Sequence, residues 1–201
     1  MCCSAAYSGE LFNVEKKEET KTIGIGLIRP DNFSLYGYKV QKDEYIKLIA
    51  KCVETFENRG YEVKLFTNGL VADQQIGLEI QEYIGKSILL ERPQSSISLV
   101  KEISKFKAVM VSRMHAAIVA YSLDIPAICL SWNNKHLGFM EAAGVKHRAI
   151  YPKDFDASFI CNVLEDAIEQ GWPNKEKEDY RPTAKQSIKD ICNLIKRGNA
   201  V

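Results

Sequence analysis

The chain has 201 residues, of which 46% are hydrophobic, which is enough apolar content for the core of a single domain. Its 27 lysine and arginine residues nearly balance 26 aspartate and glutamate residues, and the resulting net charge of +1 does not favour nucleic-acid binding. No apolar run reaches the roughly 18 residues that a membrane span requires, and no secretory signal is recognised at the amino terminus.

The first 50 residues contain a leader, a strand and a loop. Residues 1–21 end in a charged run, so we expect a leader or linker with little secondary structure. Residues 22–28, TIGIGLI, predict a strand that ends at Arg29 and Pro30. The two glycines do not form a dinucleotide-binding fingerprint, because a third glycine is missing and a polar loop over residues 31–41 follows.

Helices and strands then alternate along the chain. Apolar spacing predicts helices over 43–58, 72–84, 96–106 and 158–170, and strands over 61–66, 87–90, 108–111, 125–130 and 148–151. This alternation predicts an α/β fold, a doubly wound and mostly parallel Rossmann-like sheet of about six strands with helices on both faces. We place this domain at residues 22–172, followed by a helical extension over 173–201 with a helix at 183–197.

The strand order indicates where a ligand would bind. In the predicted order 3-2-1-4-5-6, strands 1 and 4 are neighbours at the point where the order reverses. Arg29 follows strand 1, and Arg113 follows strand 4. Because ligands bind at the carboxyl ends of strands at such a point, we expect both arginines to line one crevice.

The segment over residues 107–144 carries the strongest chemical signal. Ser112, an expected N-cap, precedes Arg113 and His115 in the first turn of a helix, where free N–H groups favour anions. Arginine offers a planar fork to carboxylate or phosphate, and histidine can transfer a proton near neutral pH. Their i, i+2 spacing does not place them on one helix face. Lys135 follows the next strand in the same way.

This segment resembles the C-terminal signature of the polysaccharide pyruvyl transferase family. The signature contains an arginine, an apolar residue and a histidine, then a helix of small residues, a strand with proline, and a lysine followed by glycine and phenylalanine. The chain matches it with Arg113-Met114-His115, Ala116-Ala117, Ile125-Pro126, and Lys135 followed by Gly138-Phe139. A looser resemblance extends over most of residues 22–150.

The resemblance implies a two-domain enzyme of the glycosyltransferase-B type. Its reaction transfers a pyruvyl group from phosphoenolpyruvate to sugar hydroxyls of a polysaccharide or a lipid-linked oligosaccharide, forming a ketal. Arg29, Arg113 and Lys135 would then bind the donor, and His115 would be the general acid. The scheme requires no metal and no other cofactor. It places the reaction in the cytoplasm, with possible attachment to the inner face of the membrane.

The chain contains one such sheet, so we interpret it as the C-terminal half of the enzyme, with a missing N-terminal domain as partner. That interpretation puts activity of the chain by itself in question. Two alternatives remain open: a nucleotide-sugar glycosyltransferase donor domain, and a non-catalytic ligand-binding or assembly module. The sequence has arginine and histidine where a glycine-rich phosphate loop would stand, which favours the pyruvyl donor.

Several other residues receive a structural interpretation. Asp73 and Glu141 are expected to be solvated or to cap helices, and His136 and His147 lack the spacing of metal ligands. Ala117 and Gly138 are expected to let helices approach the sheet closely. Four cysteines fall on predicted helices or strands, as reduced core thiols do in a cytoplasmic protein. These four are Cys52, Cys129, Cys161 and Cys192.

Overall fold

A five-stranded, all-parallel sheet forms the centre of the protein in the computed structural model, which describes residues 3–18, 20–174, 180–187, 189 and 190. The strand order is β2-β1-β3-β4-β5. The predicted α/β class with a doubly wound, Rossmann-like sheet is confirmed. The strands are β1 (Thr22–Gly26), β2 (Glu62–Phe66), β3 (Ala108–Val111), β4 (Ala127–Leu130) and β5 (Ala149–Ile150).

Helices connect the strands and cover the sheet. Their starts and ends follow the local sequence. The Asp156 side chain accepts a hydrogen bond from the backbone N–H of Phe159 at 2.8 Å and caps the helix Ala157–Gln170, and Gly85 ends the helix Val71–Ile84 in a left-handed conformation. The helices are α1 (Ser8–Phe12), α2 (Asp31–Ser34), α3 (Lys42–Asn58), α4 (Val71–Ile84), α5 (Ser96–Ile103), α6 (Met114–Ser122), α7 (Asn134–Ala142) and α8 (Ala157–Gln170).

The alternation of side chains along the strands divides the core into two layers. Ala108 and Met110 of β3 belong to a cluster with buried residues of α3, α4 and α8. Val109 and Val111 face the opposite way, into a cluster with α5, α6 and α7. Successive strand residues point to opposite faces, so each strand contributes to both layers and its carboxyl end emerges between them.

The predicted third strand is the main difference from the expected sheet. Residues 87–90 form a single parallel bridge, between Leu65 of β2 and Leu89. Gly85 ends α4 just before this segment and Pro93 follows it, so little chain is left for pairing. The bridge lies at the edge beside β2, where the predicted order placed this strand.

The amino-terminal segment is more ordered than expected. Residues Ser4–Tyr7 form a 3₁₀ turn that continues into α1, and Ala6 is fully buried. The expectation of little secondary structure is therefore wrong for residues 4–12, because their small and apolar side chains pack against α6. The domain boundaries at 22 and 172 stay predictions.

Two expectations extend beyond what the structure describes. Of the predicted last helix, residues 183–187, 189 and 190 are helical, whereas 188 and 191–197 lie outside the described residues. Cys192 lies outside them as well. The other three cysteines predicted in the core, Cys52, Cys129 and Cys161, are buried free thiols. In the described part of the chain, every helix is too short or too polar to cross a membrane.

Small residues at two helix positions have different surroundings. Ala117 of α6 is fully buried against the sheet, whereas Gly138 of α7 is exposed, and a methyl group added there would meet no atom within 4 Å. The expected packing role is therefore wrong for Gly138.

Ala117→Leu should lower the free energy of unfolding by roughly 1–3 kcal/mol through overpacking. Gly138→Ala is the matched control and should raise it by up to about 1 kcal/mol, because alanine favours helix. Urea unfolding measures both, and an unchanged Ala117→Leu variant would contradict the packing.

Candidate functional site

The carboxyl edge of the sheet brings Arg29 and Arg113 into one pocket. Arg29 follows β1 and Arg113 follows β3, and these strands pair from Ile23 with Ala108 to Gly26 with Val111. Both arginines line a pocket of about 270 Å³ together with Asn32 and the first turn of α4. The two arginines thus meet as the strand order predicted, and their role in ligand binding stays a prediction.

Asp73 joins the two arginines from the first turn of α4. Its carboxylate is fully buried and accepts hydrogen bonds from Arg113 Nε at 2.8 Å and Nη2 at 3.0 Å. The backbone N–H of Arg29 donates to the same carboxylate at 3.0 Å. The expectation that Asp73 is solvated or only a cap is therefore wrong. Topology could have indicated this contact from the sequence, because the first turn of α4 lies at the same edge of the sheet as the two arginines.

This pairing orients Arg113 and leaves donors for a ligand. Nε and Nη2 bind the carboxylate in a two-pronged arrangement, while Nη1 has no hydrogen bond within the described residues, and the side chain is 21% exposed. Arg29 is exposed, and its side chain has no hydrogen-bonding partner among the described residues either. Two guanidinium groups against one carboxylate leave the pocket positive, and the N-terminus of α4 adds to this field. The pocket is suited to an anion.

A buried hydrogen-bond network fixes the backbone next to Arg113. Ser112 does not cap α6 as expected; its N–H donates to Gly26 O at 2.9 Å, and Arg113 occupies the cap position. The indole N–H of Trp132 donates to the carbonyl oxygen of Ser112 at 2.7 Å. The hydroxyls of Ser112 and Tyr45 lie 3.4 Å apart, and burial raises the pKa of Tyr45 to about 12, so this phenol stays neutral.

His115 lies outside the pocket of the arginines. It is exposed and lines a separate groove of about 290 Å³, whose walls come from the amino-terminal helical segments and from α5 and α6. This separation agrees with its i, i+2 spacing from Arg113, which does not allow both side chains on one helix face. The structure therefore does not bring the predicted acid and the predicted anion-binding arginine into the same pocket.

Lys135 is also separate from the arginines. It is the second residue of α7 and is exposed, and its backbone N–H donates to Asn133 Oδ1 at 2.9 Å. Its ammonium group makes no ion pair with any carboxylate of the described residues. Of the four predicted site residues, the structure thus brings Arg29 and Arg113 together and leaves His115 and Lys135 outside their pocket.

The remaining polar candidates give no metal site in the described part of the chain. No three His, Cys, Asp or Glu side chains lie close enough there to hold a metal ion. Glu141 is exposed and pairs with Lys146 at 2.8 Å, which confirms that it is solvated. His147 is exposed as well.

His136 is a buried residue at this edge that no sequence pattern singled out. It is fully buried in α7, its ring centroid lies 5.6 Å from that of Trp132, and neither ring nitrogen has a hydrogen-bond partner among the residues that the structure describes. Burial lowers the pKa of His136 to about 4, and the charge of Arg113 acts in the same direction. The backbones of Ser112 and Asn133 oppose this shift without forming a hydrogen bond of normal geometry. His136 is therefore neutral at physiological pH.

This buried histidine should make stability depend on pH. Between its ordinary pKa of about 6.5 and the folded value of about 4, the unfolded chain binds a proton that the folded chain does not, so unfolding becomes easier as the pH falls. We expect His136 to remove about 2 kcal/mol of unfolding free energy between pH 7 and pH 5. Urea unfolding of His136→Phe should lack this contribution, whereas His115→Gln should retain it. Equal pH dependence in wild type and His136→Phe would contradict the assignment.

Comparison with known proteins identifies the family. The family model described as polysaccharide pyruvyl transferase matches residues 2–134, about two thirds of the chain. The matched range starts within the amino-terminal segment, runs through β3 and both arginines, and ends at the first residue of α7. A comparison with curated proteins found no match. By its sequence and its fold, the chain belongs to the polysaccharide pyruvyl transferase family.

Proposed function

We propose that the pocket between Arg29 and Arg113 binds phosphoenolpyruvate and that the chain takes part in transferring its pyruvyl group to a polysaccharide sugar. The observation that carries this proposal is the meeting of two arginines at the carboxyl edge, one of them held by a buried carboxylate, in a member of a pyruvyl transferase family. Phosphoenolpyruvate has an anionic group at each end, and two guanidinium forks match such a donor.

The reaction itself needs positioning and one proton. An acid protonates the methylene carbon of phosphoenolpyruvate, which becomes a methyl group and leaves the adjacent carbon electrophilic. Two hydroxyls of one sugar add to that carbon, the bond to the phosphate oxygen breaks, and the products are the ketal and hydrogen phosphate. One of the two hydroxyl protons replaces the proton that the acid gave, and the other leaves with phosphate, so the step balances without an oxidant or a reductant.

The roles of the remaining residues follow from this scheme. Arg29 and Arg113 would hold the carboxylate and phosphate, with Lys135 approaching from α7. His115 would donate the proton from its own groove, with a second Rossmann-like domain completing the site, as in a glycosyltransferase-B architecture. The acceptor would be a sugar of an exopolysaccharide or cell-wall polymer, free or lipid-linked. The reaction would then occur in the cytoplasm, at the inner face of the membrane for a lipid-linked acceptor.

An acceptor-dependent assay tests this function. The full-length protein is incubated with phosphoenolpyruvate and a panel of oligosaccharides, and mass spectrometry detects the ketal while phosphate release is followed in parallel. We expect ketal formation together with acceptor-dependent phosphate release, both lost in Arg113→Ala. In a parallel reaction that also contains nucleotide sugars, transfer of a sugar with phosphoenolpyruvate left intact would contradict the proposal.

A further inference from the structure

Exposed apolar side chains lie next to two of the segments that line the pocket of the arginines. Leu35 and Tyr36 follow α2 on one side, and Leu70 and Val71 start α4 on the other. Asn32, four residues before Tyr36, lines the pocket together with Leu70 and Val71. Large apolar side chains around a polar pocket are an unusual surface unless something covers them.

Tyr36 is the member of this set that has an aromatic contact. The residue is 52% exposed, and its ring centroid lies 5.2 Å from that of Trp132 at an interplanar angle of 70°. Trp132 is itself fixed, because its N–H binds Ser112 O and its ring contacts the buried His136. The Tyr36–Trp132 pair, called the aromatic ledge below, therefore presents one open ring on a supported base.

The aromatic ledge adjoins the donor pocket through the backbone. Trp132 holds the carbonyl of Ser112, and the next residue is Arg113, which lines the pocket. Lys135 is exposed three residues after Trp132 and offers an ammonium group to hydroxyl oxygens. The aromatic ledge thus lies at the same carboxyl edge of the sheet as the anion pocket, because Trp132 follows β4 and Arg113 follows the neighbouring β3.

We propose that the aromatic ledge binds the acceptor sugar, with the apolar C–H face of the pyranose ring stacked on Tyr36. This inference rests on the proposed function, because ketal formation requires two hydroxyls of one ring to reach the same donor carbon. A ring held by its flat face presents its hydroxyls edge-on toward a neighbouring pocket. Galactose fits this geometry, because its axial 4-hydroxyl leaves a continuous apolar face formed by the C–H groups at positions 3, 4 and 5.

Saturation-transfer difference NMR with methyl β-galactopyranoside tests the aromatic ledge directly. In the full chain, we expect saturation to be strongest at protons 3, 4 and 5 of the galactoside. Tyr36→Ala should weaken binding at least about 10-fold, while Tyr36→Phe should retain it. Tyr83→Ala is the matched control, since Tyr83 is an exposed tyrosine of α4 outside the site, and it should leave binding unchanged.

The outcomes separate this inference from the proposed donor. Phosphoenolpyruvate binding should be the same in Tyr36→Ala and wild type, so its absence in both would count against the donor and not against the ledge. Galactoside binding that is undetectable in wild type, or equal in Tyr36→Ala, would overturn the ledge. A change of oligomeric state in Tyr36→Ala without a change in galactoside binding would also overturn it, because Tyr36 would then cover a protein interface.

Discussion

Replacing Arg113 by alanine should lower the free energy of unfolding by about 3–5 kcal/mol and abolish phosphoenolpyruvate binding. The physical reason is Asp73, whose carboxylate is fully buried and takes two of its hydrogen bonds from the Arg113 guanidinium. Removing the arginine leaves that charge with only the backbone N–H of Arg29. Urea unfolding measures the stability, and calorimetric titration with phosphoenolpyruvate measures the binding.

A double variant separates the two consequences. Arg113→Ala combined with Asp73→Leu removes the unpaired charge, so it should be more stable than Arg113→Ala alone and still fail to bind the donor. Arg113→Lys keeps the charge but loses the planar fork, and in the complete enzyme it should raise the KM for phosphoenolpyruvate. An Arg113→Ala protein as stable as wild type would contradict the first prediction, because water or Arg29 would then replace the hydrogen bonds that the Asp73 carboxylate loses.

Replacing His115 by glutamine should lower turnover by about 10²–10⁴-fold with a smaller effect on donor binding. Glutamine keeps the size and part of the hydrogen bonding but cannot donate a proton as an acid. His115 is exposed, so the variant should remain folded. Single-turnover kinetics of the complete enzyme, together with a thermal melt, measure both effects.

His136 is the comparison for this experiment. His136→Gln alters a buried histidine beside Trp132, and its main effect should be on stability. If His115→Gln keeps near-normal turnover, the general acid is another group. If His136→Gln alone removes turnover while the protein stays folded, the roles assigned to the two histidines are wrong.

The sequence predicted the framework of the site because the strands and helices follow local patterns. Short apolar strands alternate with amphipathic helices, which favours a parallel sheet, and a common doubly wound order then places strand 1 beside the strand before Arg113. Arg29 and Arg113 follow neighbouring strands, so their meeting followed from topology. The separation of His115 from Arg113 was also predictable in outline, since residues two apart diverge on a helix.

What the sequence could not predict depends on long-range burial. Asp73 stands in the first turn of a helix, where an acidic residue usually has a local capping or dipole role, and only tertiary packing buries it against Arg113. His136 has no partner at a metal or catalytic spacing, and its burial follows from how α7 lies on the sheet. Gly138 matched a family position, yet its surroundings in the fold are open.

A crystal structure with bound phosphoenolpyruvate tests the central claim most directly. The account predicts ligand density in the pocket at the carboxyl edge, with one anionic group on Arg29 and the other on Arg113. If this chain supplies only part of the site, the affinity should be in the millimolar range, about −4 kcal/mol, so the soak requires a high ligand concentration. Density for the ligand elsewhere, with the pocket between Arg29 and Arg113 empty, would contradict the account.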